Sequence, residues 1–392
     1  MKIKSFIFSG LALSLIIWAC ASEESSLKES YLDLPALPYS YNVMTDPNMV
    51  NNHIPTLGRV LFYDRQLSVN NSVSCSSCHK QSLAFADNAA FSKGFDNRLT
   101  LRNSMPIQNL LAVNFVSFDS GFSIRPELSI ASSFIPGTSS GLFWDGREGI
   151  LQTMVLKPIG NHVEMGISDM NVLNQKLSSI PYYRELFTRA FDTPEVTTEK
   201  IGKALSSFLL SITSRNTKAD HNMIEVFIDD TMNKTDESMK LSPIEDRGRN
   251  LFMTVYDCNA CHQVQNPHGY IMAGTFANIG LDAQYADNGL QNVTKRSSDA
   301  GKFKIPSLRN VALTAPYMHD GRFETLDDVL GHYSEGIANH PNLDKRLKKE
   351  GQPMRLQIPQ HDKDAIIAFL HTLTDYEMIS DPKFSNPFKI KQ

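Results

Sequence analysis

Cys75-Ser76-Ser77-Cys78-His79 and Cys258-Asn259-Ala260-Cys261-His262 are the two stretches on which the reading of this chain turns. In a C-x-x-C-H run two thiols are spaced to add across the vinyl groups of one haem, and the His that follows reaches the iron from the proximal side. A single run also suits a redox dithiol or half of a zinc site. Two runs, each with its own His, point to two covalently attached c-type haems. One zinc site built from both pairs, or two small disulfide loops, would leave the His after each pair unexplained.

The chain has five Cys, and the one outside these pairs is Cys20. It follows Lys2, Lys4, an apolar run from Phe6 to Trp18, and Ala19, which is the pattern of a secretory signal. Ile17, Ala19 and Cys20 resemble a lipoprotein cleavage site, so residues 1–19 are expected to be removed and Cys20 to become the lipidated first residue. Ordinary signal cleavage is the alternative, and the run is too short to favour an uncleaved anchor. The expected address is the periplasm or cell envelope, with membrane contact only through the lipid. No later stretch is long and apolar enough to span a bilayer.

A length of 392 residues exceeds what one core usually supports and favours two domains. With 38 basic and 42 acidic residues, a formal charge of −4, the chain is not a nucleic-acid binder, and any redox partner must be recognised by a local patch. Leu57-Gly-Arg-Val-Leu-Phe-Tyr63 leads into the first haem motif with helical apolar spacing. Before the second, Ser242-Pro243-Ile244-Glu245 combines an N-cap, a first-turn Pro and a capping-box Glu. Thr197 or Thr198 caps a helix with apolar positions Ile201, Ala204, Leu205, Phe208, Leu209 and Ile212, and Ala365, Ile366, Phe369, Leu370 and Leu373 form another apolar face. Strand-like alternation is scarce. The fold predicted is mainly α, with two cytochrome c-like haem domains and long loops. The polar stretch 229–240 divides the chain into a tether (20–40), an N-terminal haem domain (41–237), a C-terminal haem domain (238–378) and a tail (379–392).

Phe143-Trp-Asp-Gly-Arg147, Val163-Glu-Met-Gly166, Pro306-Ser-Leu-Arg-Asn310 and Thr314-Ala-Pro-Tyr-Met-His-Asp-Gly321 together resemble the bacterial dihaem cytochrome c peroxidase and MauG superfamily, from about Leu57 to Thr374. The resemblance implies an N-terminal haem that meets hydrogen peroxide and a C-terminal haem that exchanges electrons with a partner. It makes Glu164, as far beyond Trp144 as the family's catalytic Glu is from its Trp, the acid/base group, and Trp144 the residue between the haems. A peroxidase needs such a group beside an open iron position. Met154 departs from the pattern: it stands where the family has a distal-pocket Gln, and Gln152 is about 200° away around a helix.

In family members that rest inactive, a His in the loop after the first motif caps the peroxidatic iron. No His occurs between His79 and Trp144, so an open N-terminal haem is expected, with Met105 the lesser alternative as ligand. Counting on from His319, Tyr333 falls where many peroxidases carry a ligand Met and MauG a Tyr. On a helix starting near Thr325, Leu326, Val329, Leu330 and Tyr333 share one face and His332 points away. Met318, Met354 and His332 are rivals. The resemblance also places Asn103, Thr314 and Pro316 at an inter-haem calcium site, with oxygen ligands that suit Ca²⁺. The stretch Val116–Leu142 reads as an insertion.

The function expected is reduction of hydrogen peroxide to water with electrons from a small cytochrome c or cupredoxin. MauG-like oxidation of a protein or small molecule and dihaem electron carriage without catalysis are the alternatives. The oligomeric state, a homodimer included, is left open.

Overall fold

The computed structural model describes residues 51–110, 141–224, 237–264 and 276–388. The signal, Cys20 and the tether lie outside these residues, as do most of the Val116–Leu142 stretch and of the 229–240 boundary.

Among the described residues the chain is mostly helical. The α-helices are α1 (His53–Tyr63), α2 (Cys75–Cys78), α3 (Leu151–Met154), α4 (Lys157–Gly160), α5 (Met170–Ser178), α6 (Pro181–Phe191) and α7 (Thr198–Ser211). They continue with α8 (Lys218–Ile224), α9 (Pro243–Asn250), α10 (Asn259–His262), α11 (Gln291–Thr294), α12 (Leu326–Gly331) and α13 (Gln360–His371). Among the described residues the strands form two antiparallel pairs, β1 (Phe276–Ala277) with β2 (Phe303–Lys304) and β3 (Lys348–Lys349) with β4 (Gln352–Pro353).

The long helices start where their caps predict. Thr197 Oγ1 accepts from the Lys200 amide at 3.2 Å to open α7. The Ser242 amide donates to Glu245 Oε2 at 2.6 Å and Pro243 occupies the first turn of α9. After Asn250 the helix widens into a π segment, Leu251–Val255, that leads to Cys258.

The same packing device occurs twice. Helix α1 lies against α7 at Gly58, where a Cβ would meet the Ala204 carbonyl and stand 2.8 Å from Phe208 Cβ. Helix α9 lies against α13 at Gly248, where a Cβ would meet the Ala365 carbonyl and stand 3.0 Å from Phe369 Cβ. In both cases the missing side chain lets two backbones approach in front of a C-x-x-C-H motif.

Among the described residues most of the buried apolar side chains fall into two clusters. One gathers Leu57, Val60, Leu61, Phe62, Tyr183, Phe187, Ile201, Leu205 and Phe208 around the first motif. The other gathers Leu251, Phe252, Leu326, Leu330, Ile366, Phe369 and Leu370 around the second. Residues 379–388, set apart in the sequence as tail, join the first cluster: Phe384 is buried in it, and Arg59 Nε and the Tyr63 hydroxyl donate to the carbonyls of Ser385 (2.6 Å) and Phe384 (2.7 Å). Among the described residues no helix is long and apolar enough to cross a membrane.

Candidate functional site

Helix α2 is one turn long, so Cys75 and Cys78, three positions apart, share a face. Ser74 caps it, and its amide donates to Ser77 Oγ at 3.0 Å. His79 follows at the C-cap. Ala84 and Phe85 both take left-handed backbone conformations, a strained pairing for a bulky side chain, and this turn brings the Phe85 carbonyl to 2.9 Å from His79 Nδ1. A carbonyl only accepts, so Nδ1 carries the proton and Nε2 keeps its lone pair. The second motif repeats the arrangement: His262 ends α10, and its Nδ1 meets the Pro306 carbonyl at 3.2 Å. A His whose other nitrogen is fixed by a carbonyl is oriented as a metal ligand is.

The remaining chemistry suits a covalent haem at each motif. None of the four Cys is in a disulfide, and among the described residues no three His, Cys, Asp or Glu converge, so the two pairs do not form one zinc site. Burial, with the neighbouring Cys78 charge, pushes the Cys75 thiol up to about 12, and burial pushes Cys258 to about 12 as well. Thiols held neutral in apolar surroundings are poor metal ligands by themselves but lose no charge on becoming thioethers. Burial also lowers His262 to about 4 and His79 below its ordinary value, which keeps both imidazoles neutral.

Beside His79 lies a cavity of about 950 Å³ whose wall includes Met105, Trp144, Met154, Glu164 and Lys304. Glu164 is carried on a tight turn in which the amides of residues 164, 165 and 166 all donate to the Asn161 carbonyl. Asn161 Nδ2 donates to Glu164 Oε1 at 2.5 Å. Burial raises the Glu164 pKa above its ordinary 4.5, opposed by the Arg147 charge and the Asn161 hydrogen bond. Met154 faces the cavity, whereas Gln152 donates to the Glu199 carbonyl at 3.3 Å and packs on Gly202. Among the described residues no His lies in the cavity wall apart from His79 and His162.

Trp144 is buried, with Nε1 donating to the Asn103 carbonyl at 2.9 Å. Its own carbonyl accepts from the Lys304 amide at 2.9 Å. Two residues beyond the end of that strand is Pro306, whose carbonyl meets His262. A single hydrogen bond and a short stretch of backbone therefore connect the Trp in the first cavity to the proximal His of the second motif.

Tyr333 lies near the second motif, where burial and the charges of Cys261 and Cys258 raise its pKa. Helix α12 ends at Gly331 and continues as a π segment, His332–Gly336, and the two side chains meet different surroundings, Tyr333 those of Cys258 and Cys261 and His332 those of Ile279, Arg322 and Arg355. His332 is buried, with Nε2 meeting the Ile279 carbonyl at 3.0 Å. The Asn103 amide donates to the His319 carbonyl at 2.8 Å, three residues beyond Pro316, and Asn103 and Thr314 are both buried. Met318 stands beside His319 in a left-handed conformation, and the Met354 amide donates to the Leu347 carbonyl at 2.8 Å.

Sequence reasoning missed the carbonyls of Phe85 and Pro306, because backbone direction leaves no mark on residue type. It also missed Asn161, although Asn at the start of a turn that presents a Glu is a readable signal. Arg102, which bridges Asp145 (2.6 Å) and Asp287 (2.6 Å) at the cavity edge, was not singled out either.

A family model described as di-haem cytochrome c peroxidase matches residues 53–225. The methylamine utilization protein MauG of Methylorubrum extorquens is 29% identical over 320 residues, covering 81% of this chain and 77% of that protein. Cytochrome c551 peroxidase of Nitrosomonas europaea is 27% identical over 329 residues, covering 83% and 80%. Among solved structures, a MauG-like protein associated with microbial copper homeostasis is 30% identical with a TM-score of 0.68, covering 90% of this chain and 98% of that one.

Proposed function

Because this chain belongs to the di-haem cytochrome c peroxidase and MauG family of oxidoreductases, and so carries two c-type haems, we propose that it reduces hydrogen peroxide to water with electrons from a small cytochrome c or cupredoxin. In this reading Cys75, Cys78 and His79 hold the peroxidatic haem and Cys258, Cys261 and His262 the electron-transfer haem, each in a domain of its own built on one of the two apolar clusters. The observation that carries it is the meeting of His79, Trp144 and Glu164 in one cavity.

The haem bound at His79 supplies the iron that peroxide meets and the electrons that open its O–O bond. The chain's own residues do the rest. Glu164, kept from solvent and held at Oε1 by Asn161, has Oε2 to take the proton from the inner peroxide oxygen and return it to the outer one, which leaves as water. Its raised pKa brings it closer to the working pH, where a shuttle operates best. Met105 and Met154 line the wall with weakly polar surface, so Glu164 and Asn161 rather than an amide at position 154 order the peroxide. Trp144, joined by hydrogen bonding to the strand that supports His262, is the inter-haem relay. Asn103, Thr314 and Pro316 would hold a Ca²⁺ beside the Trp144 support, and Tyr333 would supply a ligand to the second haem.

A second reading, MauG-like oxidation of a protein or small molecule, is favoured by one observation: Tyr333 stands close to Cys258 and Cys261, and an anionic oxygen ligand favours the ferric and higher states. The N-terminal signal pattern places either activity in the periplasm or cell envelope, with Cys20 as lipid anchor.

The test is peroxide-dependent oxidation of a reduced small cytochrome by the protein with both haems attached, without pre-reduction. Steady donor oxidation supports the peroxidase. Peroxide consumption with negligible donor oxidation supports the oxidase, and two intact haems indifferent to peroxide overturn both readings in favour of an electron carrier.

A further inference from the structure

Lys304 is a buried cation that the proposed chemistry leaves unused. It ends β2, in the C-terminal half of the sequence, yet its side chain forms part of the wall of the cavity beside His79 and is only 8% exposed. An ammonium group has three N–H donors. Lys304 Nζ donates to the Gly141 carbonyl at 2.9 Å, and among the described residues no carboxylate pairs with it. Burial alone lowers its pKa to about 8.

The other cations in the cavity wall are differently placed. Arg102 is neutralised by Asp145 and Asp287, and Arg147 by Asp145 at 2.9 Å while it stacks 3.7 Å over the Phe143 ring. Keeping a charge out of water costs several kcal/mol unless an anion meets it. A haem brings two propionate carboxylates, and the cavity that Lys304 lines is the one whose wall contains His79.

We propose that Lys304 binds a propionate of the haem attached at Cys75 and Cys78, so that the C-terminal half of the chain anchors and electrostatically tunes the cofactor of the N-terminal half. This rests on the haem assignment made above. Lys304 is a positioning residue: its backbone amide holds Trp144 and its side chain holds the macrocycle edge, so both are fixed by one residue. A positive charge next to a haem stabilises the reduced state, and its loss favours ferric iron.

The experiment is spectroelectrochemistry on the purified protein with both haems attached, comparing wild type, K304M and K304R, with the propionate bending mode read by resonance Raman. In K304M the potential of the N-terminal haem falls and becomes more dependent on pH, its propionate mode shifts, and the C-terminal haem is unmoved. K304R keeps the wild-type potential. A folded K304M with two haems whose potentials and propionate modes match the wild type overturns the proposal, as does a K304R that shifts as far as K304M. If K304M does not fold, K304Q removes the charge while keeping a donor for the Gly141 carbonyl, and the same two readouts decide. A wild type lacking covalent haem at Cys75 and Cys78 would instead refute the haem assignment itself.

Discussion

At the scale of single residues, burial decides what Glu164 and Tyr333 can do. A carboxyl whose pKa lies above 4.5 loses its base form at a higher pH than an exposed Glu. Peroxide turnover is therefore full above that raised pKa and falls as the pH drops through it, and the acid limb of the kcat/KM profile sits above 4.5. Glu164→Gln is expected to lower turnover by about 10²–10⁴-fold and to erase that limb, with both haems still attached. Unchanged turnover in a stopped-flow assay would remove Glu164 from the mechanism. At Tyr333 the protein alone favours the neutral phenol, so it would take the charge of the iron to make it an anionic ligand. Tyr333→Phe should abolish the tyrosinate or high-spin signature of the second haem in its absorption and EPR spectra, while the first haem stays as it was; an identical spectrum would exclude Tyr333 as ligand.

At the scale of elements, the two Gly-mediated helix crossings are the sites of least tolerance. A methyl group added at Gly58 or Gly248 has a carbonyl in its way, and the helices must separate. Gly58→Ala and Gly248→Ala are each expected to destabilise by about 1–3 kcal/mol or more, read as lower midpoints in thermal or denaturant unfolding. Stability equal to the wild type would show that the crossings are looser than described. These helices were legible in the sequence because caps and apolar period agree: Thr197 opens α7, Ser242 and Glu245 open α9, and Ala365, Ile366, Phe369 and Leu370 are the buried face of α13. The π segments were not legible. An extra residue in a turn changes no residue type, so the widening at His332–Gly336 left no sign in the sequence, whereas the helix start at Thr325 did. The site divides the same way: motifs made of side chains could be read, but the carbonyls of Phe85 and Pro306 that orient the two His depend on long-range backbone placement.

At the scale of the whole molecule, the two clusters are tied to each other by polar groups rather than by apolar contact alone. Gln108 Nε2 donates to the Arg309 carbonyl at 2.7 Å, Asn310 Nδ2 to Gln108 Oε1 at 2.7 Å, and the Asp375 amide to Asn310 Oδ1 at 2.6 Å. Residues 379–388 then return to the first cluster, a fact hidden in the sequence because Phe384 and Phe388 stand isolated among polar residues. Phe384→Ala is expected to cost about 3–5 kcal/mol, and calorimetry should show the loss in the part of the molecule that holds the first motif. An unchanged first transition would mean that the segment merely rests on the surface. The contact between Arg59 and Ser385 joins positions 326 apart. In a chain made from its N-terminus, that wall of the first cluster arrives only after the second motif has already emerged. The docking of Phe384 is thus a matter of order as well as packing, since the first cluster takes its last wall from the far end of the described chain.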